Sequence, residues 1–154
     1  MTNISQEINQ LTFESDKHKA LLNLMFTNNW ILDRLNGFFK TYSITNQQFN
    51  VLRILKGQHP KPCTAKYIKE VMIFKAPDLT RLLDRLIEKG FVVRKACKQN
   101  RRELDINITK SGIDLLEQLN PLLRQCMEGL IDLTERVAQD LSNLLDKARG
   151  QDEP

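Results

Sequence analysis

The sequence predicts a mainly α chain carrying one small β-hairpin, and two features support that prediction. Residues 76–110 read as an amphipathic helix, a strand, a basic turn and a second strand. Before residue 43 and after residue 110 lie long segments whose apolar residues recur at helical spacing. A helix followed by a cationic hairpin, set behind two shorter helices, is the element order of a winged helix-turn-helix head, here flanked by N- and C-terminal helices.

Each element has its own local justification. Residues 1–16 are weakly patterned, with Ile4, Ile8 and Leu11 near helical spacing, and read either as a short docking segment or as a frayed arm. A long helix is expected from about His18 to Tyr42, where Leu21, Leu22, Met25, Trp30, Ile31, Leu35, Phe38 and Phe39 cover more than one face. Thr45 should cap a helix running to about Lys56, with Phe49, Leu52 and Leu55 inward and Gly57 as its stop. His59-Pro60-Lys61-Pro62 cannot be helical at its prolines. Thr64 looks like the next cap, with Tyr67, Ile68 and Val71 as the apolar side.

In the following helix Leu79, Leu82, Leu83 and Leu86 form one stripe, which turns Arg81, Asp84 and Glu88 outward. Pro77 suits a first helical position, and Lys89-Gly90 supplies a cationic last turn and a left-handed stop. Phe91-Val92-Val93 and the alternating Leu104, Ile106 and Ile108 read as strands around a polar turn, Lys98 to Arg102. Ser111 should open a helix bearing Ile113, Leu116, Leu119, Leu123 and Met127, kinked at Pro121. Leu130 to Ala148 repeats the pattern with Leu133, Val137, Leu141, Leu144 and Leu145. Such stripes need cover. A two-fold dimer of the first and last helices would supply it, as would a three-helix bundle within one chain.

A chain of 154 residues with 41% hydrophobic content supports one core, and no apolar run is long enough for a membrane span. The N-terminus lacks signal-peptide organisation and the three cysteines are an odd number, so a reducing, cytoplasmic setting is expected. Charge is unevenly divided. Residues 61–110 hold 13 Lys and Arg against 6 Asp and Glu, a net of +7, whereas the whole chain carries only +4 and the remainder therefore −3. A basic module coinciding with a helix and wing points to double-stranded DNA.

Candidate DNA-binding residues follow from position. Thr80 and Arg81 lie near the start of the helix that would read DNA, and Arg81 opposes the leucine stripe. Asp78 has two readings, acceptance from a cytosine amino group or compensation of the helix dipole. Arg85 either contacts DNA or braces the helix against the wing. Lys75, Lys95 and Lys98 suit phosphates, and Asn100, Arg101 and Arg102 occupy the wing tip, where they either enter a groove or keep an edge hairpin soluble. Catalysis finds little support: His18 and His59 have no nucleophile motif near them, and Asp84 and Glu88 read as intrahelical ion pairs with Arg81 and Arg85. The cysteines and histidines show no metal-ligand spacing, and no cofactor is expected.

Asp84-Arg85-Leu86, Lys89-Gly90, Phe91 to Arg94, Asn100-Arg101-Arg102 and Thr109-Lys110-Ser111-Gly112, in this order, resemble the MarR family of bacterial transcriptional regulators over roughly residues 18–149. The chain departs from that family with Lys75-Ala76-Pro77 at the cap, Lys69 in the preceding helix and Asn100 in the wing. The resemblance implies a single MarR-like domain over residues 1–154, with dimerisation helices at about 18–42 and 111–149 around a DNA-binding region at about 43–110. It further implies a homodimeric repressor on a pseudo-palindromic operator, with Arg102 in the minor groove. Release would come from a small aromatic or phenolic effector, for which Trp30, Phe38 and Tyr42 are pocket candidates or simply core. The alternatives are a redox-sensing regulator using Cys63 and Cys97, and a winged-helix protein-interaction module that binds no DNA.

Overall fold

The computed structural model of the chain describes residues 3–96 and 104–150. Its elements are α1 (Ile4–Glu7), α2 (Asp16–Thr41), α3 (Asn46–Gln58), α4 (Ala65–Val71), α5 (Leu79–Glu88), β1 (Val92–Ala96), β2 (Leu104–Ile108), α6 (Lys110–Glu128) and α7 (Glu135–Ala148). They fall into two compact units, divided at Asn120 and Pro121. No helix among the described residues is long and apolar enough to cross a membrane.

Cap chemistry sets most of the helix starts. Ser15, Thr45, Thr64 and Thr134 each accept the backbone N–H three residues on, and at Thr45 the bond is reciprocated by Gln48. Thr45 and Thr64 are the caps the sequence predicts. Other boundaries move. α2 begins at Asp16 because Ser15 takes the cap, and α3 runs through Gly57 to Gln58 instead of stopping there. α5 starts at Leu79, not Pro77, because the Asp78 carboxylate accepts from Arg81 N at 2.9 Å and makes Asp78 the cap. α7 starts at Glu135, since Thr134 captures Val137 N and residues 131–134 remain non-helical. The N-terminal segment forms a four-residue helix closed by an Asn3–Gln6 capping box, and its Ile4 is buried.

The first unit has its core where α3, α4, α5 and the hairpin meet. Val51, Leu52, Leu55, Ile68, Met72, Leu83, Leu86, Val92 and Ile106 are all buried there, and Phe39 of α2 meets Phe49 at 4.8 Å between ring centroids. Leu83 and Leu86 carry the α5 stripe, with Leu79 and Leu82 half-buried. In α4 the expected apolar side is only partly right: Ile68 is buried, as is Met72 at the C-terminal cap, whereas Tyr67 and Val71 are exposed. A helix of two turns buries one narrow stripe.

β1 and β2 pair antiparallel, with Val92 opposite Ile108 and Lys95 opposite Asp105. On its other edge β2 is covered by Cys63, which exchanges two backbone hydrogen bonds of 2.9 Å with Ile106. The Pro-bounded connector is thereby tied to the wing. Gly90, at φ 73°, ends α5 in the left-handed region and releases the chain into β1. In the second unit α6 runs on through Pro121 to Glu128, and α7 has no buried residue.

Candidate nucleic-acid interface

Helix α5 is held from several directions. At its N-terminal end Asp78 closes the first turn. Asn50, from α3, sends its Oδ1 to the turn ahead of α5, where it accepts Ile73 N at 3.0 Å and Phe74 N at 3.5 Å. On one flank Asp84 pairs with Arg94 of β1 at 3.0 Å. At the C-terminal end the Lys89 ammonium donates to the Ser43 carbonyl, which ties α5 to the α2–α3 turn.

The base of the wing is fixed by Thr109. Its hydroxyl donates to the Gly90 carbonyl at 2.7 Å and accepts from Gly112 N at 3.1 Å, while its own N–H bonds Phe91 O at 3.0 Å. This explains the Thr-x-x-Gly spacing. A Cβ on Gly112 would lie 2.5 Å from Phe91 O, so the start of α6 touches the hairpin backbone at a position only glycine fits.

What is left outward on α5 is Thr80, Arg81, Arg85 and Glu88, all exposed. Among the described residues neither arginine pairs with a carboxylate. The intrahelical pairs expected for Asp84 do not form, because the Arg94 guanidinium, held by the sheet, takes that carboxylate. Helix and wing are thus braced by Asp84 and Arg94, not by Arg85. Lys95 is exposed on β1 opposite Asp105. Lys75 is turned back: its Nζ donates to the carbonyls of Lys69 and Glu70 at 3.0 and 3.1 Å, so it closes the C-terminal end of α4. Asp78 likewise has one carboxylate oxygen committed to its cap, which favours the helix-dipole reading over base contact. Lys98, Asn100, Arg101 and Arg102 lie outside the described residues, as does Cys97.

Trp30, Phe38 and Tyr42 are not among the residues that border the cavity beside α5. Trp30 stacks beneath the Arg34 guanidinium at 3.9 Å, and Phe38 packs on Phe39 and Tyr42 at 5.1 and 5.2 Å. This cavity, of about 440 Å³, opens across α2 from Phe38. It is bounded by Asn36 and Lys40 of α2, by Ser43 and Ile44 of the turn, by Thr45 and Gln48 at the start of α3, and by Arg85 of α5 and Lys89 at its C-terminal cap. Helical geometry accounts for the difference: residues 36 and 38 lie about 200° apart around the axis. Cys63 is 3% exposed, and burial pushes its thiol up from the usual range, which disfavours the reactive thiolate.

Several of these residues carry no sequence signal of their role. Asn50 and Lys89 act across long stretches of chain, and Gly112 is visible only as part of the Thr-x-x-Gly motif.

A short helix pair leading into an exposed arginine-bearing helix, followed by an antiparallel hairpin anchored on its C-terminal end, is a winged helix-turn-helix. The profile of the MarR family matches residues 44–104. The multiple antibiotic resistance protein MarR of Escherichia coli K12 is 31% identical over 107 residues, spanning 69% of this chain and 71% of that protein. YpoP of Bacillus subtilis, described as an HTH-type transcriptional regulator, is 32% identical over 77 residues, but the chain spans only 53% of its length. A solved structure of a mutant E. coli MarR complexed with operator DNA superposes with a TM-score of 0.74 at 27% identity, covering 96% of this chain and 99% of that one. The chain belongs to the MarR family; it is a MarR-family transcriptional regulator and not an enzyme.

Proposed function

We propose that the protein acts in the cytoplasm as a homodimeric repressor, binding a pseudo-palindromic operator through two winged heads and releasing it when a small molecule binds. The observation that carries this reading is Arg81, exposed in the first turn of a helix braced by Asn50, Asp84 and Lys89. A guanidinium on a rigid helix reads base edges with little entropy to lose, and guanine is its usual bidentate partner. Thr80 lies beside it; Arg85 and Lys95 suit phosphates on either flank. The family resemblance assigns Arg102 to the minor groove. The solved E. coli complex with operator DNA supports the same use of the fold.

Exposed apolar surface supports the dimer. Leu21, Leu24 and Met25 on α2, and separately Val137, Leu141 and Leu144 on α7, stand open in the single chain, Leu144 at 64%. A second copy would cover them and set two heads side by side. Release by ligand is favoured over release by oxidation because Cys63 is buried with a raised thiol pKa.

The test begins with footprinting on DNA flanking the coding sequence. On the protected site, Arg81→Ala should cost about 1–3 kcal/mol and change binding to unrelated duplex much less. Wild-type protein that binds no duplex even at low salt would sink the DNA reading and leave a protein-interaction module. Light scattering should give about 36 kDa, twice the chain mass of 17.9 kDa, and Leu141→Glu should lower it.

A further inference from the structure

The helix caps made by side chains are neutral with one exception. Asn3, Ser15, Thr45, Thr64 and Thr134 cap α1, α2, α3, α4 and α7 with an amide or hydroxyl oxygen, whereas α5, the helix placed to read DNA, is capped by a carboxylate. Asp78 Oδ1 accepts Arg81 N at 2.9 Å, and that bond needs an acceptor oxygen but no charge, since Asn and Ser cap helices as well as Asp does. The charge is also uncompensated. Asp78 is exposed and, among the described residues, pairs with no Lys or Arg, while Asp84 further along α5 is taken by Arg94. The capping bond draws the carboxylate to the Arg81 backbone, three residues on, and so to the part of α5 that presents the exposed guanidinium.

We infer that Asp78 sets the operator preference by exclusion: its charge turns away duplex that presents acceptor atoms to the start of α5, and it tolerates a site that presents a cytosine amino group there. The inference rests on the DNA-binding function proposed above. A duplex brought to Arg81 meets Asp78 as well. Arg81 favours acceptors such as guanine O6 and N7, whereas a carboxylate is repelled by those atoms, by thymine O4 and by phosphate oxygens. The cytosine amino group is the base edge that does not oppose it. Specificity is a difference of affinities, and a repulsive group supplies it without adding a contact to the correct site. The same carboxylate can therefore cap the helix with one oxygen and, through its charge, reject unrelated DNA.

Asp78→Asn keeps the cap oxygen and removes the charge. The full-length variant should be compared with wild type by anisotropy titration on the footprinted site and on an unrelated duplex of equal length, and by selection from a duplex pool randomised across the site. One unit charge facing one phosphate at about 7 Å in water changes affinity roughly threefold, so two heads together give about tenfold. Asp78→Asn should therefore bind the unrelated duplex about tenfold tighter, a gain that shrinks with salt, and change binding to the footprinted site by about threefold or less. It should also accept guanine or thymine at one step of each half-site where wild type selects cytosine. Asp78→Glu keeps the charge on a poorer cap, so it should melt lower than wild type yet retain the wild-type ratio of the two affinities. An equal gain on both duplexes would make the charge a general brake and not a selector. A loss confined to the footprinted site would make Asp78 a direct acceptor for a base. No change on either duplex, an unaltered base selection, or Asp78→Glu behaving as Asp78→Asn does would leave a helix cap and nothing more. Each of these results overturns the inference with DNA binding intact, whereas a wild-type protein with no affinity for either duplex removes the DNA function and the inference together.

Discussion

Gly112→Ala probes the contact between α6 and the wing with a single methyl group. The added Cβ would sit 2.5 Å from Phe91 O and 2.7 Å from Ile108 Cγ1, against an ordinary carbon contact of about 3.5 Å. Phe91 O cannot retreat freely, because Thr109 N is bonded to it at 3.0 Å. Nor can Ile108, a buried residue paired with Val92. Overpacking of this kind costs about 1–3 kcal/mol, and Ala returns up to about 1 kcal/mol of helix propensity. The backbone clash should therefore win by about 1–2 kcal/mol. With a urea slope of about 2 kcal/mol/M, the unfolding midpoint should fall by roughly 0.5–1 M at matched protein concentration. Gly57→Ala is the control: Gly57 lies within α3 with nothing within 4 Å of its Cβ position, so there propensity acts alone and stability should rise by about 0.5–1 kcal/mol. A Gly112→Ala midpoint at or above wild type would show that the hairpin base yields, and the reasoning would fail.

The Asp84–Arg94 pair is half exposed, so a double-mutant cycle with Asp84→Asn and Arg94→Gln should give a coupling of only about 0.5–1 kcal/mol, shrinking with salt; strictly additive effects would remove the bridge from the account. Asn50→Ala should weaken binding to the footprinted site more than it lowers the melting temperature, and Asn50→Asp, which keeps the acceptor oxygen, should restore affinity. Equal DNA binding by Asn50→Ala would make the contact merely structural. For Cys63, peptide mass spectrometry should find alkylation at neutral pH slow in the native protein and fast in urea. Its folded thiol holds the proton to higher pH than the unfolded one, so the stability linked to it is present below the usual thiol range and lost as pH rises through the folded value. Native alkylation as fast as in urea would contradict that burial.

The elements were legible in the sequence wherever a short-range pattern specifies them. The leucine spacing of α5, the hydroxyl caps at Thr45 and Thr64, the Gly90 stop and the alternation of β2 all act within about four residues, and each is found in the structure. Boundaries moved where two local signals competed, as when the Asp78 carboxylate displaced Pro77 as the start of α5. The site itself depended on long-range contacts. Asn50 reaches Ile73 across 23 residues and Lys89 reaches Ser43 across 46, and Cys63 covers the free edge of β2. A helical wheel shows that Phe38 lies across α2 from Asn36 and Lys40. It does not show which face meets the recognition helix, because that depends on how α2, α3 and α5 pack. Only the tertiary structure decided that Asn36 and Lys40 of α2 and Gln48 of α3 border a cavity together with Arg85.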